Sequence, residues 1–340
     1  MAALQVGVIG AGTWGETHLK TYSTHPHCRL RCVCDVKGEL AEQRAAEYGA
    51  AAWTTRFEDL LADDSIQAVS IATPDFAHGQ IAVAAAQAGK HILIEKPLAT
   101  TVEECEQIIA AAQANGVKLM VDFHNRFNPP FVKAQRSLDE GELGELQMMS
   151  MRLNDTLFVP TKMLSWASKS TVTWFLASHC VDLVRFLSGD EVRRVYAVSR
   201  SRVLEPMGIS TPDFYQSILE LRGGATVYVE NCWIISESFP NVFDFKVEIV
   251  GAAGTIFADL STHGMLARYT QQEAGYPDVG AFPVVHGKFV GFAIEAIRHW
   301  IDCLLQDREP LITGADGLAA TKVVLAMHES AQRGEPVELA

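Results

Sequence analysis

Residues 5–15, Gln-Val-Gly-Val-Ile-Gly-Ala-Gly-Thr-Trp-Gly, constrain this chain more than any other stretch. An apolar run ends in Gly10-x-Gly12-x-x-Gly15, and a helical segment follows over residues 13–22. Each glycine has a task in a strand–turn–helix unit. Gly10 turns the chain tightly out of the strand. Gly12 removes a side chain where a pyrophosphate approaches the backbone, and Gly15 lets the helix pack close to the sheet. The helix N-terminus offers free N–H groups and a partial positive charge to phosphates. Alone, the motif is weakly specific. A second apolar run, residues 30–34, leads into Asp35, twenty positions after Gly15, where a carboxylate accepts the hydroxyls of an adenosine ribose. The alternative is a glycine-rich turn in some other α/β protein.

The alternation continues. Apolar runs at 5–10, 30–35, 68–72, 91–95 and 118–122 are separated by helical patterns at 38–48, 56–61, 76–88 and 102–115. Near-continuous apolar strands with intervening helices imply a parallel sheet covered on both faces. Gly49, Gly89 and Gly116 follow helices as left-handed stops. Crossovers between parallel strands are right-handed, so residues 1–123 should form an N-terminal Rossmann domain, a doubly wound parallel sheet. Ligands of such sheets lie beyond the carboxyl ends of the strands. The segments there are 73–78 (with Thr73, Pro74 and His78), 95–97 (Glu95-Lys96-Pro97) and 124–129 (with His124, Asn125 and Arg126).

Composition shifts at 128–130, and the expected second domain spans 124–340. Its pattern is a helix at 130–139, a run at 145–153, and an irregular stretch containing Pro160, Lys162 and Trp166. An amphipathic helix at 173–187 follows, stopped by Gly189. Partly alternating runs come next, at 191–203, 214–221, 225–235, 243–251, 255–260 and 265–270, with a Gly223-Gly224 hairpin turn; helices at 290–305 and 315–333 close the chain. This reads as an α+β domain with a large, mostly antiparallel open sheet.

Length and composition narrow the function. A chain of 340 residues suggests about two domains, and 48% hydrophobic residues support an ordinary soluble core. The net charge of −13 argues against nucleic acid as a partner, because phosphate backbones need a basic surface. No apolar run reaches membrane-spanning length, and the first strand begins too early to leave room for a signal peptide. Seven cysteines without a CxxC pair point to a reducing compartment, hence a cytoplasmic protein. Eleven histidines without HExxH or paired spacing give no expectation of a metal.

Taken together, Gly10–Gly15, Ala72-Thr73-Pro74 with His78, Glu95-Lys96-Pro97, His179 followed three residues on by Asp182, and Asp316-Gly317-Leu318-Ala319 resemble the Gfo/Idh/MocA oxidoreductases. That family is named for glucose-fructose oxidoreductase and inositol dehydrogenase. The resemblance spans the chain, and Glu-Lys-Pro after the fifth strand is its most specific part. It implies hydride transfer between NAD(P) and a sugar, polyol or related carbonyl compound. It also implies association through the open sheet as a homodimer or homotetramer. The cofactor residues it implies are Gly10, Gly12, Thr13, Trp14, Gly15, Asp35, Thr73, Pro74, His78, Glu95, Lys96 and Arg126. Lys96, His124, Phe175 and His179 fall to the substrate, with Lys96 and His179 as the catalytic pair.

Pro97 keeps Lys96 out of helical geometry and extended towards the cleft, although a surface lysine would read similarly. Periodicity alone makes His179 a core histidine on an apolar helix. The resemblance makes it the general acid/base, a role that suits an imidazole. The chain departs from the family at Phe175, where many members carry an aspartate one turn before the histidine. Positions four apart share a helix face, so Phe175 should also face the site, where it accepts no hydrogen bond. Either the substrate is less hydroxylated on that side, or Asp155, Lys162 or Trp166 supplies the contact; each also reads as surface or packing. Asp35, followed by Val36-Lys37, favours NAD over NADP by repelling a 2′-phosphate. Two rivals remain: a dinucleotide-binding sensor or corepressor without turnover, and a glycosidase that regenerates NAD within each cycle.

Overall fold

In the computed structural model, which describes residues 3–261 and 265–339, the first sheet is six-stranded and wholly parallel. Its strands are β1 (Leu4–Ile9), β2 (Cys28–Cys34), β3 (Ala52–Thr54), β4 (Ala68–Ile71), β5 (His91–Glu95) and β6 (Leu119–Asp122), in the order β3-β2-β1-β4-β5-β6. Five helices alternate with them: α1 (Thr13–Thr24), α2 (Gly38–Tyr48), α3 (Phe57–Leu61), α4 (His78–Gln87) and α5 (Val102–Ala114). Strands β4 and β6 are buried at every residue, which is why they read as unbroken apolar runs rather than as alternation. The strand order reverses between β1 and β4, and that reversal is the topological switch point where a doubly wound sheet opens its binding crevice. The expected Rossmann architecture is present.

Local chemistry sets several boundaries. The Thr101 hydroxyl accepts the Glu104 N–H at 3.1 Å and donates to the Glu104 carboxylate, a Thr-x-x-Glu start for α5. Residues 75–77 form a 3₁₀ turn before α4 rather than its first turn, entered from an extended Pro74 (φ −57°, ψ 145°). Strand β3 escapes the sequence pattern: it has three residues, all at least partly exposed.

The later chain contains α6 (Pro129–Asp139), β7 (Leu146–Asp155), α7 (Ser178–Ser188), β8 (Val192–Arg200), β9 (Phe214–Leu221), β10 (Thr226–Cys232), β11 (Phe243–Gly251), β12 (Thr255–Asp259), α8 (Phe292–Leu305), α9 (Gly314–Arg333) and β13 (Val337–Glu338). Seven of these strands form the second sheet, ordered β12-β11-β7-β10-β9-β8-β13. Only the β7–β10 pairing is parallel. One face is buried through Tyr215, Leu219, Val227 and Val229. On the other, the register lines up Tyr196, Ile218, Tyr228, Ser150, Glu248 and Phe257 in one row across six strands. The predicted helix over 173–187 is two pieces: a π turn, Thr173–Ala177, leads into α7. The predicted strand over 265–270 contributes only Arg268–Tyr269, in a two-stranded ribbon outside the large sheet.

The chain divides into two compact units, Met1–His124 with Val284–Ala319, and Asn125–Pro283 with Ala320–Ala340. The sequence expectation assigns everything from 124 onwards to the second domain, whereas α8 belongs with the first unit. Its buried face, including Ile294, Ile297, Trp300 and Ile301, packs on α1 and β6. An amphipathic stripe says that a helix buries one face; it does not say against which sheet.

Candidate active site

In the first unit, Gly10 has φ +94°, and its N–H donates to the Cys34 carbonyl at 2.7 Å. A Cβ at Gly10 would lie 2.4 Å from the Ala72 carbonyl oxygen, and one at Gly15 would lie 1.9 Å from that of Gly10. Those two glycines are therefore demanded by the chain's own packing. A Cβ at Gly12 would meet nothing within 4 Å, so its absence leaves open space in front of the loop. Helix α1 starts at Thr13 without a side-chain cap, leaving first-turn N–H groups for an anion. Asp35 is oriented by two backbone donors, Ala11 N–H to Oδ2 and Lys37 N–H to Oδ1, each at 2.9 Å. Its remaining lone pairs are available to hydroxyls. The Thr73 hydroxyl is buried without a hydrogen-bond partner. An open glycine, an uncapped helix start, an oriented carboxylate and an orphaned hydroxyl all fit a dinucleotide.

Lys96 is buried at the end of β5, in a cis Lys96–Pro97 peptide. Around it lies a polar cluster assembled from α1, β4, β5 and β6. His18 Nε2 is 3.1 Å from Glu95 Oε1 and 3.7 Å from Asp122 Oδ2. His18 Nδ1 meets the Ser70 hydroxyl at 3.1 Å, which meets the Tyr22 hydroxyl at 2.7 Å. Burial, reinforced by repulsion from Glu95, pushes the Asp122 carboxyl well above the usual carboxylate range, against the opposing pull of Lys96. Burial also acts to raise Glu95, but the His18 hydrogen bond and the charges of His18, His124 and Lys96 outweigh it and hold Glu95 low. The two carboxyls are thus pushed in opposite directions beside a lysine. The ligand atoms of His18, Glu95 and Asp122 lie within 4.8 Å of one another. The shared hydrogen bonds and the Lys96 ammonium mark the cluster as proton-sharing rather than cation-binding.

Trp14 stacks on His124, with ring centroids 5.0 Å apart and planes inclined by 22°, and His124 in turn contacts Phe292 at 5.7 Å. Burial pushes His124 down to about 4, with Glu95 opposing and the charges of Lys96 and His18 assisting. A histidine whose folded-state pKa lies below its unfolded value costs nothing above about pH 6.5. As pH falls from there towards 4, only the unfolded chain takes up the proton, and stability is lost. Relative to wild type, His124→Gln should therefore flatten the fall in urea-unfolding free energy between pH 7 and 5 by on the order of 2 kcal/mol. Asp122, raised, acts in the opposite sense, so the difference between the two proteins is the quantity to measure. Equal slopes would show that His124 titrates normally.

In the second unit, Arg126 and Asp182 form a buried two-point ion pair, with Nε–Oδ2 at 2.9 Å and Nη2–Oδ1 at 2.6 Å. Asn125 Nδ2 lies 3.4 Å from His179 Nδ1. Adjacent residues of one 3₁₀ turn, His124–Phe127, thus engage α7 at His179 and, one turn on, at Asp182. Removing one partner of such a buried pair typically costs about 3–5 kcal/mol. Phe175 is half-buried in the π turn, edge-on to Trp166 at 6.4 Å. The Thr173 hydroxyl holds that turn to His328 Nε2, and Thr171 joins it at 2.7 Å. Lys162 pairs with Glu237.

Models of the oxidoreductase family with an NAD-binding Rossmann fold match residues 4–123, and its Gfo/Idh/MocA C-terminal domain matches residues 131–257. The chain belongs to the Gfo/Idh/MocA oxidoreductase family. It is an NAD-binding oxidoreductase of that family. The chain is 28% identical over 340 residues to scyllo-inositol 2-dehydrogenase (NAD(+)) of Bacillus subtilis, covering 99% of this chain and 96% of that one. It is 30% identical to inositol 2-dehydrogenase 1 of Saccharopolyspora erythraea over 99% of this chain and 96% of the relative. Scyllo-inositol dehydrogenase of Lactobacillus casei, solved with NAD(H) and scyllo-inositol, has the same fold, with a TM-score of 0.84, 19% identity and 99% coverage of both chains.

Gly10, Gly12, Thr13, Trp14, Gly15, Asp35, Thr73, Pro74, His78, Glu95, Lys96 and His124 all lie in the first unit, on the glycine loop and the start of α1, just after strand ends, or, for His78, at the start of α4. Arg126, Phe175 and His179 lie in the second. Three of the residues that the resemblance sets at the cofactor have their polar atoms engaged by protein: Glu95 by His18, His78 by two backbone carbonyls, and Arg126 by Asp182. His18, Ser70 and Tyr22 escape the sequence reading. Their signal is there in retrospect: His18 and Tyr22, four apart, share the sheet-facing side of α1 with Gly15 and Leu19.

Proposed function

We propose that this protein interconverts a hydroxyl and a carbonyl on a sugar, polyol or related compound, with NAD as cofactor. The observation that carries the reading is Lys96, buried at the carboxyl end of β5 in the sheet whose β1 feeds the glycine loop. Support comes from full-length relatives named as inositol dehydrogenases. NAD, when bound, supplies the hydride acceptor. Lys96 donates a hydrogen bond to the reacting oxygen and stabilises the negative charge that develops on it. His179 accepts the hydroxyl proton. Residues 1–123, with α8 completing them, hold the cofactor, and the rest of residues 124–340 supplies substrate groups and the assembly surface. Beside Phe175 and Trp166 the substrate presents C–H rather than a hydroxyl, because an unpaired polar group there would cost about 1–3 kcal/mol.

The test is a screen of polyols, aldoses and keto-sugars with NAD and NADP, followed at the nicotinamide absorbance. Net NADH formation is expected, faster with NAD than with NADP. Asp35→Ser should narrow that gap by removing a charge that repels a 2′-phosphate. A sensor or an NAD-regenerating glycosidase would bind NAD and give no net NADH.

Assembly is a homodimer or homotetramer in this reading. The outer face of the second sheet exposes Tyr196, Ile218 and Phe257, the last at 74%. Large hydrophobic side chains exposed on a sheet face in this way fit a partner subunit. Light scattering at micromolar protein should give at least a dimer mass; a monomer mass would overturn the assignment. A cytoplasmic location accords with seven free cysteines; burial pushes the Cys34 thiol up to about 12. Among the described residues no helix is long and apolar enough to cross a membrane.

A further inference from the structure

Thr173–Ala177 is wound as a π turn, in which the Ser178 N–H reaches back five residues to the Thr173 carbonyl. Widened turns of this kind are rare and recur at functional sites. The group that holds this one is on α9. His328 Nε2 lies within hydrogen-bond reach of the Thr173 hydroxyl and 3.2 Å from that of Thr171, and the two hydroxyls are 2.7 Å apart. The three polar atoms close a triangle. A hydroxyl both donates and accepts, so the triangle closes whichever ring nitrogen carries the proton. Thr171 Oγ1 also accepts the Trp174 N–H at 3.3 Å, which ties the triangle to the backbone of the turn. The His328 ring stands edge-on to Trp174 at 5.3 Å and lies against Tyr215 of β9 at 5.5 Å. Two residues further on, α9 is itself fastened to β8, where Ser330 Oγ accepts the Ala197 N–H at 2.9 Å.

We propose that His328 is a positioning residue: through the Thr171 and Thr173 hydroxyls it clamps the π turn to α9, and so sets the phase between Phe175, inside the turn, and His179, two residues past it. Returning the turn to ordinary α geometry would take out the extra residue and rotate the segment before it by about 100° against α7. α7 is not free to follow, because Asp182 is held by Arg126. Phe175 would therefore leave its place relative to His179. Thr173 is fully buried, so its hydroxyl needs a partner wherever the turn goes, and His328 is the partner from outside its own segment. Thr171, Thr173, Phe175, His179 and His328 all belong to the second unit, so the clamp works within one body.

The clamp itself stands on geometry; its kinetic consequence rests on His179 being catalytic, as proposed above. The test follows the full chain by hydrogen-exchange mass spectrometry over residues 171–180, with steady-state kinetics and NAD titration beside it. His328→Leu removes the ring nitrogen and keeps an apolar side chain. Thr173→Val removes the hydroxyl with almost no change of shape, and it carries the test if His328→Leu does not fold. Either change should speed exchange across 171–180 and lower kcat by roughly 10²-fold, the usual effect of misplacing a reacting group by about an ångström. NAD affinity should hold, since the glycine loop and Asp35 lie in the first unit. The two changes together should do little more than one, because they break the same contact. His328→Gln puts an amide where Nε2 stood and should recover most of the lost kcat. Wild-type exchange across 171–180 in the variants overturns the proposal. So does faster exchange with an unchanged kcat in an enzyme that His179→Asn disables, because the turn would then be held for stability alone. If no turnover is found, or His179→Asn keeps it, the catalytic reading fails and exchange alone decides the clamp.

Discussion

Exchanging Lys96 for methionine is expected to cut kcat by roughly 10²–10³-fold, the loss seen when a preorganised group that stabilises developing negative charge is removed. NAD affinity should barely change, because the features that fit the adenosine half and the pyrophosphate, Asp35 and the glycine loop, lie on β2 and β1 rather than β5. Methionine keeps the length and the apolar stem while removing the charge. The surrounding cluster should tolerate this, since burial pushes the Asp122 carboxyl upwards, towards its neutral form, and His18 remains hydrogen-bonded to Glu95. The measurement pairs steady-state kcat with NAD titration by intrinsic fluorescence. Wild-type kcat would remove Lys96 from the chemistry. Loss of NAD binding in step with kcat would move it from the substrate to the cofactor.

His179→Asn should slow turnover by roughly 10²–10⁴-fold, the range for a lost general acid/base. The helix itself should survive. Its anchor is the Arg126–Asp182 pair, one turn further along, and Asn is smaller than His and introduces no charge. The acidic limb of the pH–rate profile should disappear in the variant if that limb reports His179. A folded variant with the original limb and near-original kcat would return His179 to the core-histidine reading that its apolar neighbours suggest.

How much of this was legible depended on whether a residue's role is local. The glycine loop, Asp35, the helix stops and the strand runs each announce themselves within a few residues, because turns, caps and burial on two faces are local requirements. Edge strand β3 was silent, being too short and too exposed to show a pattern. The π turn before α7 could not be read either: Thr173–Leu187 is periodic enough for one helix, and the widening coincides with the hydrogen bond from Thr173 to His328, 155 residues away. The polar cluster was hidden for the same reason. His18, Ser70, Glu95 and Asp122 lie on four different elements, and only the strand register brings Glu95 beside Asp122. Arg126 and His78 were recognised as site residues, but what their polar atoms hold is a property of the folded chain.

The return of α8 to the first unit bears on the order in which the protein is made. Residues 1–124 leave the ribosome first, yet the apolar flank of α1 and β6 that receives Trp300, Ile297 and Ile301 stays uncovered until roughly 175 further residues have been added. At about 5–20 residues per second, the nascent cofactor sheet waits on the order of ten seconds or more with a sticky edge, while six of the seven strands of the second sheet are synthesised between its two parts. The first domain begun is thus nearly the last one closed, and a chain cut anywhere before residue 305 would carry that exposed flank as its lesion.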